Sequence, residues 1–169
     1  YRFHNAHRDI HLYNPEGGQP ARFTQNGSGT VRLDYDPKLE SDTVFGGTGT
    51  GAVTVNGSST AVHPGDGPRH GLYGPGGLTK QGDFDLIVNN VASWQGPTEI
   101  DGGALLFNAD SAVQNPVYGD PGEPDYLPET MGPVSVNDGG TLGGNGRLWA
   151  EVTVGAGGTL EPGMSSGVL

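Results

Sequence analysis

The string Val134-Ser135-Val136-Asn137-Asp138-Gly139-Gly140-Thr141-Leu142 returns 18 residues later as Val152-Thr153-Val154-Gly155-Ala156-Gly157-Gly158-Thr159-Leu160. A looser copy, Thr98-Glu99-Ile100-Asp101-Gly102-Gly103-Ala104-Leu105, ends 37 residues before Leu142. A longer one pairs Phe45-Gly46-Gly47-Thr48-Gly49, Val53-Thr54-Val55 and His63-Pro64-Gly65 with Leu142-Gly143-Gly144-Asn145-Gly146, Val152-Thr153-Val154 and Glu161-Pro162-Gly163. This periodicity decides how the rest is read. Thirty-two glycines and 13 prolines among 169 residues would mark an aperiodic chain as low-complexity. A fixed short period marks a stack of repeating units instead.

Within each unit the apolar period is two. Val152 and Val154 flank Thr153, and Phe84, Leu86 and Val88 alternate with Asp83, Asp85 and Asn89. One face points inward and the other is wet, the pattern of a strand. Glycines between the strands supply the turns. Few stretches run long enough without Gly or Pro to make a helix; residues 104–115 are the main exception, with Leu105, Leu106, Ala109 and Val113 able to share a helical face. A single short strand with its turns cannot bury its own apolar face, so each coil must stack on its neighbours. The expectation is an all-β fold, a parallel β-helix of roughly eight coils; at ~4.8 Å per coil the rod is about 40 Å long.

Two segments interrupt the repeat. Residues 110–133 carry Pro116, Pro121, Pro124, Pro128 and Pro133 with five carboxylates, and proline cannot serve an interior ladder, so a loop is expected there. Residues 61–77 read as a shorter excursion. Residues 1–43 are richer in aromatic and charged residues and do not fit the register, which makes them irregular coils or the end of a preceding module. The β-helix proper is expected over 44–169.

Charge excludes several partners. The net charge is −11, all of it in the second half: residues 1–80 hold seven basic and seven acidic residues, residues 81–169 hold Arg147 against twelve acidic ones. Phosphate backbones and anionic lipid would repel such a chain, so neither nucleic acid nor a membrane surface is an expected partner. No apolar run is long enough for a membrane-spanning helix. The absence of cysteine removes disulfides, thiol nucleophiles and thiolate zinc sites. With neither an initiator Met nor a leader at its start, the sequence reads as a mature or excised fragment.

The segment Gly74-Pro75-Gly76-Gly77-Leu78-Thr79-Lys80-Gln81-Gly82-Asp83-Phe84-Asp85-Leu86-Ile87-Val88, continued by Thr98–Leu105, resembles the repeat of bacterial autotransporter passenger domains of the pertactin-like type. That repeat reads G-x-G-G-L-x-K-x-G-x-G-x-L-x-L, then T-x-(V/I)-x-G-G-x-L. The stretch from Leu142 to Leu169 is similar to the family's L-G-G-x-G … V-x-V … G-G-x-L-x-P-G-x-S-x-G-x-L ending. The match covers about 74–109 and 134–169; Phe84 replaces the usual glycine, and 110–133 splits two coils. The resemblance implies a right-handed parallel β-helix, export to the bacterial surface or beyond, and a membrane β-barrel elsewhere in the parent chain. It implies a non-catalytic scaffold with an adhesive or virulence-related role. The alternative is the stem of an autotransported subtilase-type protease with its catalytic residues outside this fragment; a polysaccharide lyase or hydrolase is a third.

The chemical motifs have simpler explanations. Gly163-Met164-Ser165-Ser166-Gly167 has the form of a nucleophile elbow, but no Asp or His follows it. Gly47-Thr48-Gly49-Thr50-Gly51-Ala52 has the form of a dinucleotide loop, yet a strand, Val53-Thr54-Val55, follows where a helix is required. Calcium-roll glycine loops carry Asp ligands, and Gly46–Gly51 and Gly143–Gly146 hold Thr and Asn. His4, His7 and His11, with Asp9, would share a face only on a helix. Asp83 with Asp85, and Glu99 with Asp101, are spaced for one strand face, as in β-helical lyases, but alternation puts acids outside regardless. No catalytic, metal or cofactor site is therefore assigned. The candidate binding element is the 110–133 loop, with Tyr118, Asp120, Glu123, Asp125 and Tyr126 as candidate contacts to a host or bacterial surface protein or glycan. Its acidity suits a basic protein partner or weak Ca²⁺ binding.

Overall fold

The computed structural model describes residues 9–57, 71–109 and 131–163. Among them every regular element is a strand, and the strands form three parallel sheets. Each of the first four turns contributes one strand to each sheet before rising to the next level, and the last two, among the described residues, contribute to the second and third sheets. The first rung comprises β1 (Asp9–Leu12), β2 (Ala21–Thr24) and β3 (Val31–Leu33). The second comprises β4 (Asp36–Leu39), β5 (Thr43–Gly46) and β6 (Val53–Val55), and the third β7 (Tyr73–Gly74), β8 (Leu78–Lys80) and β9 (Asp85–Val88). The fourth holds β10 (Ser93–Trp94), β11 (Thr98–Ile100) and β12 (Gly103–Phe107). The fifth holds β13 (Val134–Val136) and β14 (Gly140–Gly144), and the sixth β15 (Val152–Val154) and β16 (Thr159–Pro162). The first sheet runs β1-β4-β7-β10, the second from β2 to β15 and the third from β3 to β16. This is the architecture of a parallel β-helix.

Register explains why the repeats recur. Val31, Val53, Leu86, Leu105, Leu142 and Leu160 stand one above another in the third sheet. Ala21, Thr43, Leu78, Thr98, Val134 and Val152 do so in the second. The side chains of all three sheets meet in one apolar core that includes Leu39, Phe45, Leu86, Trp94, Ile100 and Leu105. Phe84, Leu86 and Val88 are all buried, as their alternation requires. The 104–115 helical reading fails in its described part: β12 alternates, with Leu105 buried and Leu106 turned partly to solvent.

The described residues form six rungs, where the sequence suggested about eight. Successive residues of the second-sheet column lie 22, 35, 20, 36 and 18 positions apart. Both long steps rise only one level, so the added residues lengthen a coil without adding another. Composition sets residues 1–43 apart, yet the described part supplies β1 to β4 in register, with Phe23 beside Phe45 and Val31 beside Val53. The two phenylalanine rings stack at 5.3 Å. The compositional contrast sits at outward positions such as Arg22 and Arg32, which do not fix register.

Glycine serves two ends here. Gly17, at φ +67° in an open turn, needs its conformational freedom. Gly51 does not: its backbone is ordinary, but a Cβ there would overlap the carbonyl oxygen of Gly29 on the rung below. At such corners the rungs touch backbone to backbone.

Candidate functional surface

The strands hold their alternate residues outward, and the outward rows are where chemistry is available. A ladder of side-chain amides follows the third sheet. Asn56 Nδ2 donates to Asp34 Oδ1 (2.8 Å), Asn89 Nδ2 to Asn56 Oδ1 (3.1 Å) and Asn108 Nδ2 to Asn89 Oδ1 (2.9 Å). The Asn145 backbone N–H donates to Asn108 Oδ1 (3.0 Å) and closes the series. The bond from Asn56, assisted by Arg32, holds the Asp34 carboxyl below its usual range. The sequence reading missed this ladder. Its signal was an Asn or Asp directly after an inward apolar residue in four of the rungs: Leu33-Asp34, Val55-Asn56, Val88-Asn89 and Phe107-Asn108.

The paired carboxylates fall where alternation puts them. Asp83 is exposed and Asp85 half-buried. Glu99 and Asp101 converge on one side chain: Asn137 Nδ2 donates to Glu99 Oε2 (2.9 Å) and Asp101 Oδ1 (2.7 Å). Gln81 Nε2 donates to the other Asp101 oxygen at 3.2 Å. These acids tie three rungs together. Among the described residues no three His, Asp or Glu side chains are grouped to hold a metal ion. His11 lies on β1, a strand rather than a helix, with Nδ1 2.6 Å from Glu40 Oε1. His4 and His7 lie outside the described residues. Gly47–Ala52 is a corner leading into the strand β6, where a dinucleotide loop would need a helix.

Among the described residues a lysine points into the core. Lys80 shares a column with Phe23, Phe45, Ile100, Val136 and Val154 and is wholly buried. Its ammonium donates to the carbonyl oxygens of Gln81 (3.2 Å), Gly82 (2.7 Å) and Gly102 (2.9 Å), and lies 3.9 Å from the centre of the Phe84 ring. Burial lowers its pKa to about 8, against the raising influence of Asp85 and Asp83. The sequence reading noted Lys80 only as part of a motif. Nearby, Trp94 is buried with its Nε1–H donating to Thr98 Oγ1 at 2.8 Å, which explains a threonine in an inward row.

The last described rung leaves apolar side chains open. Val152 and Val154 occupy inward columns above Val134 and Val136, but are 37% and 41% exposed because no described strand lies above them. Sequence alternation gave their direction and could not give their burial. Leu160, at 41%, and Trp149, at 52%, share this end and border a cavity of about 540 Å³. The predicted binding loop, with Tyr118, Asp120, Glu123, Asp125 and Tyr126, lies outside the described residues, as does the serine segment beyond Gly163.

These features define a β-helical scaffold whose outer rows are tied by side-chain ladders. The chain is similar to the adhesin BmaC autotransporter of Brucella suis biovar 1 (strain 1330), with 28% identity over 92 residues. The alignment takes in 54% of this chain and 2% of the adhesin, so the chain spans a small fraction of that protein's length. No protein-family profile and no solved structure matches the chain.

Proposed function

We propose that this chain is a length of the β-helical passenger of an autotransporter adhesin, displayed on or released from the bacterial surface, and that it performs no catalysis. The likeness to an autotransporter adhesin over about half the chain carries the reading, and the parallel β-helix supports it. The scaffold holds its outward residues in hydrogen bonds between rungs, which suits a rigid support better than a reactive cleft. Recognition falls to the 110–133 loop, where Tyr118 and Tyr126 act as anchors and Asp120, Glu123 and Asp125 select a basic protein surface.

The test is binding of the purified chain to host-cell surface proteins and to a glycan array, beside a variant lacking residues 112–131. The deletion keeps its β circular dichroism and loses binding. Equal binding by both chains removes the loop from the proposal, and hydrolysis of a polysaccharide or protein by the chain removes the non-catalytic reading.

A further inference from the structure

We propose that Asn56 is a self-modifying site: the Gly57 backbone nitrogen closes on the Asn56 side chain, expels ammonia and leaves an aspartate or isoaspartate at position 56. An Asn-Gly step is suited to this because glycine has no side chain to shield its nitrogen. The sequence has three, Asn26-Gly27, Asn56-Gly57 and Asn145-Gly146. The fold treats them differently.

The nucleophile separates them. Gly27 N–H donates to Gln25 Oε1 at 3.0 Å, and Gly146 N–H to the Phe107 carbonyl oxygen at 2.8 Å. Each of those nitrogens is held toward an acceptor other than the asparagine before it. Gly57 N–H has no acceptor among the described residues. Position 57 also has to be glycine. Its φ is +64°, and a Cβ there would lie 2.8 Å from Asn90 Nδ2 and 2.9 Å from Asp36 Oδ1. Packing thus keeps the reactive dipeptide in place.

The electrophile is prepared by the amide ladder. Asn56 Oδ1 accepts from Asn89 Nδ2 at 3.1 Å, and Asn56 Nδ2 donates to Asp34 Oδ1 at 2.8 Å. A donor on the carbonyl oxygen stabilises the charge that develops there when Cγ is attacked. A carboxylate against the amide nitrogen makes that nitrogen readier to take a proton.

The step balances with water as the one co-reactant. Gly57 N gives its proton to a solvent base and bonds to Asn56 Cγ; the Cγ–Nδ2 bond breaks, and Nδ2 takes a proton from solvent and leaves as ammonia. Water then opens the cyclic imide. Attack at Cγ gives aspartate, and attack at the Asn56 backbone carbonyl gives isoaspartate. A carboxylate now stands where an amide met Asp34, so a bond of the ladder is replaced by two like charges.

The experiment incubates the whole chain in mildly alkaline buffer at body temperature and follows each Asn-Gly step by peptide mapping and isoaspartate detection. In the folded chain position 56 converts about tenfold faster than Asn26 or Asn145. In a urea-unfolded sample the three converge, because the dipeptide is the same and the fold no longer sorts them. Asn89→Ala, folded by circular dichroism, slows position 56 several-fold and leaves the other two unchanged. Conversion at 56 no faster than at the other two in the folded chain overturns the proposal. So does a preference for 56 that persists in urea, or an Asn89→Ala variant that converts as fast as the wild type or faster.

Discussion

Lys80 is a case where one residue sets a pH dependence. Its folded pKa is near 8 and that of a free lysine near 10.5. Below about pH 8 both folded and unfolded chains hold the proton, and stability does not vary on its account. Between about 8 and 10.5 the unfolded chain holds more of it, so stability rises with pH, by about 3 kcal/mol in all. Urea unfolding across that window should record the rise, and Lys80→Met should remove it. Glycine gives a second pair of outcomes. Gly51→Ala drives a methyl into the backbone of the rung beneath and should cost about 3 kcal/mol. Gly17→Ala, in an open turn, meets only its own left-handed strain, about 1 kcal/mol. Thermal melts of the two variants separate crowding from conformation.

At the scale of the strand, position in the stack outweighs sequence. Val136 and Val154 occupy the same column and belong to the same repeated string, yet one is buried and the other 41% exposed. Val136→Asp should therefore lose about 4 kcal/mol or more by burying an unpaired carboxylate, while Val154→Asp loses about 1 kcal/mol in chemical denaturation. The amide ladder works across strands. Asn89 bonds to the rungs on both sides, and Asn89→Ala should cost about 1–2 kcal/mol. Asn56→Ala should return the Asp34 carboxyl toward 3.8, read by NMR titration, because the bond that lowers it is gone.

For the molecule as a whole, the class of fold was legible because inward columns need the same residue type at each level. Val-x-Val and Gly-Gly-x-Leu announce that requirement directly. The rung number was not legible, since a period of 18 was applied across steps as long as 36. Nor was the place of residues 9–43, whose inward apolar residues follow the columns while their outward residues differ. Lys80 escaped notice because a lysine on a strand is normally assigned to solvent; only the carbonyls and the Phe84 ring reveal how an ammonium is held inside. The amide ladder was written in the sequence, but as a relation between rungs, invisible until the levels are aligned.

The unequal steps have an evolutionary consequence. A coil takes in 18 residues or 36 and still climbs a single level, so the columns accept added chain at the two long steps, though not at tight corners such as Gly51. Insertions, deletions and wholesale replacement at those joints leave height and core untouched. A lineage under pressure to alter what it displays can rewrite its exterior there, segment by segment, while the pillar that carries it stays the same.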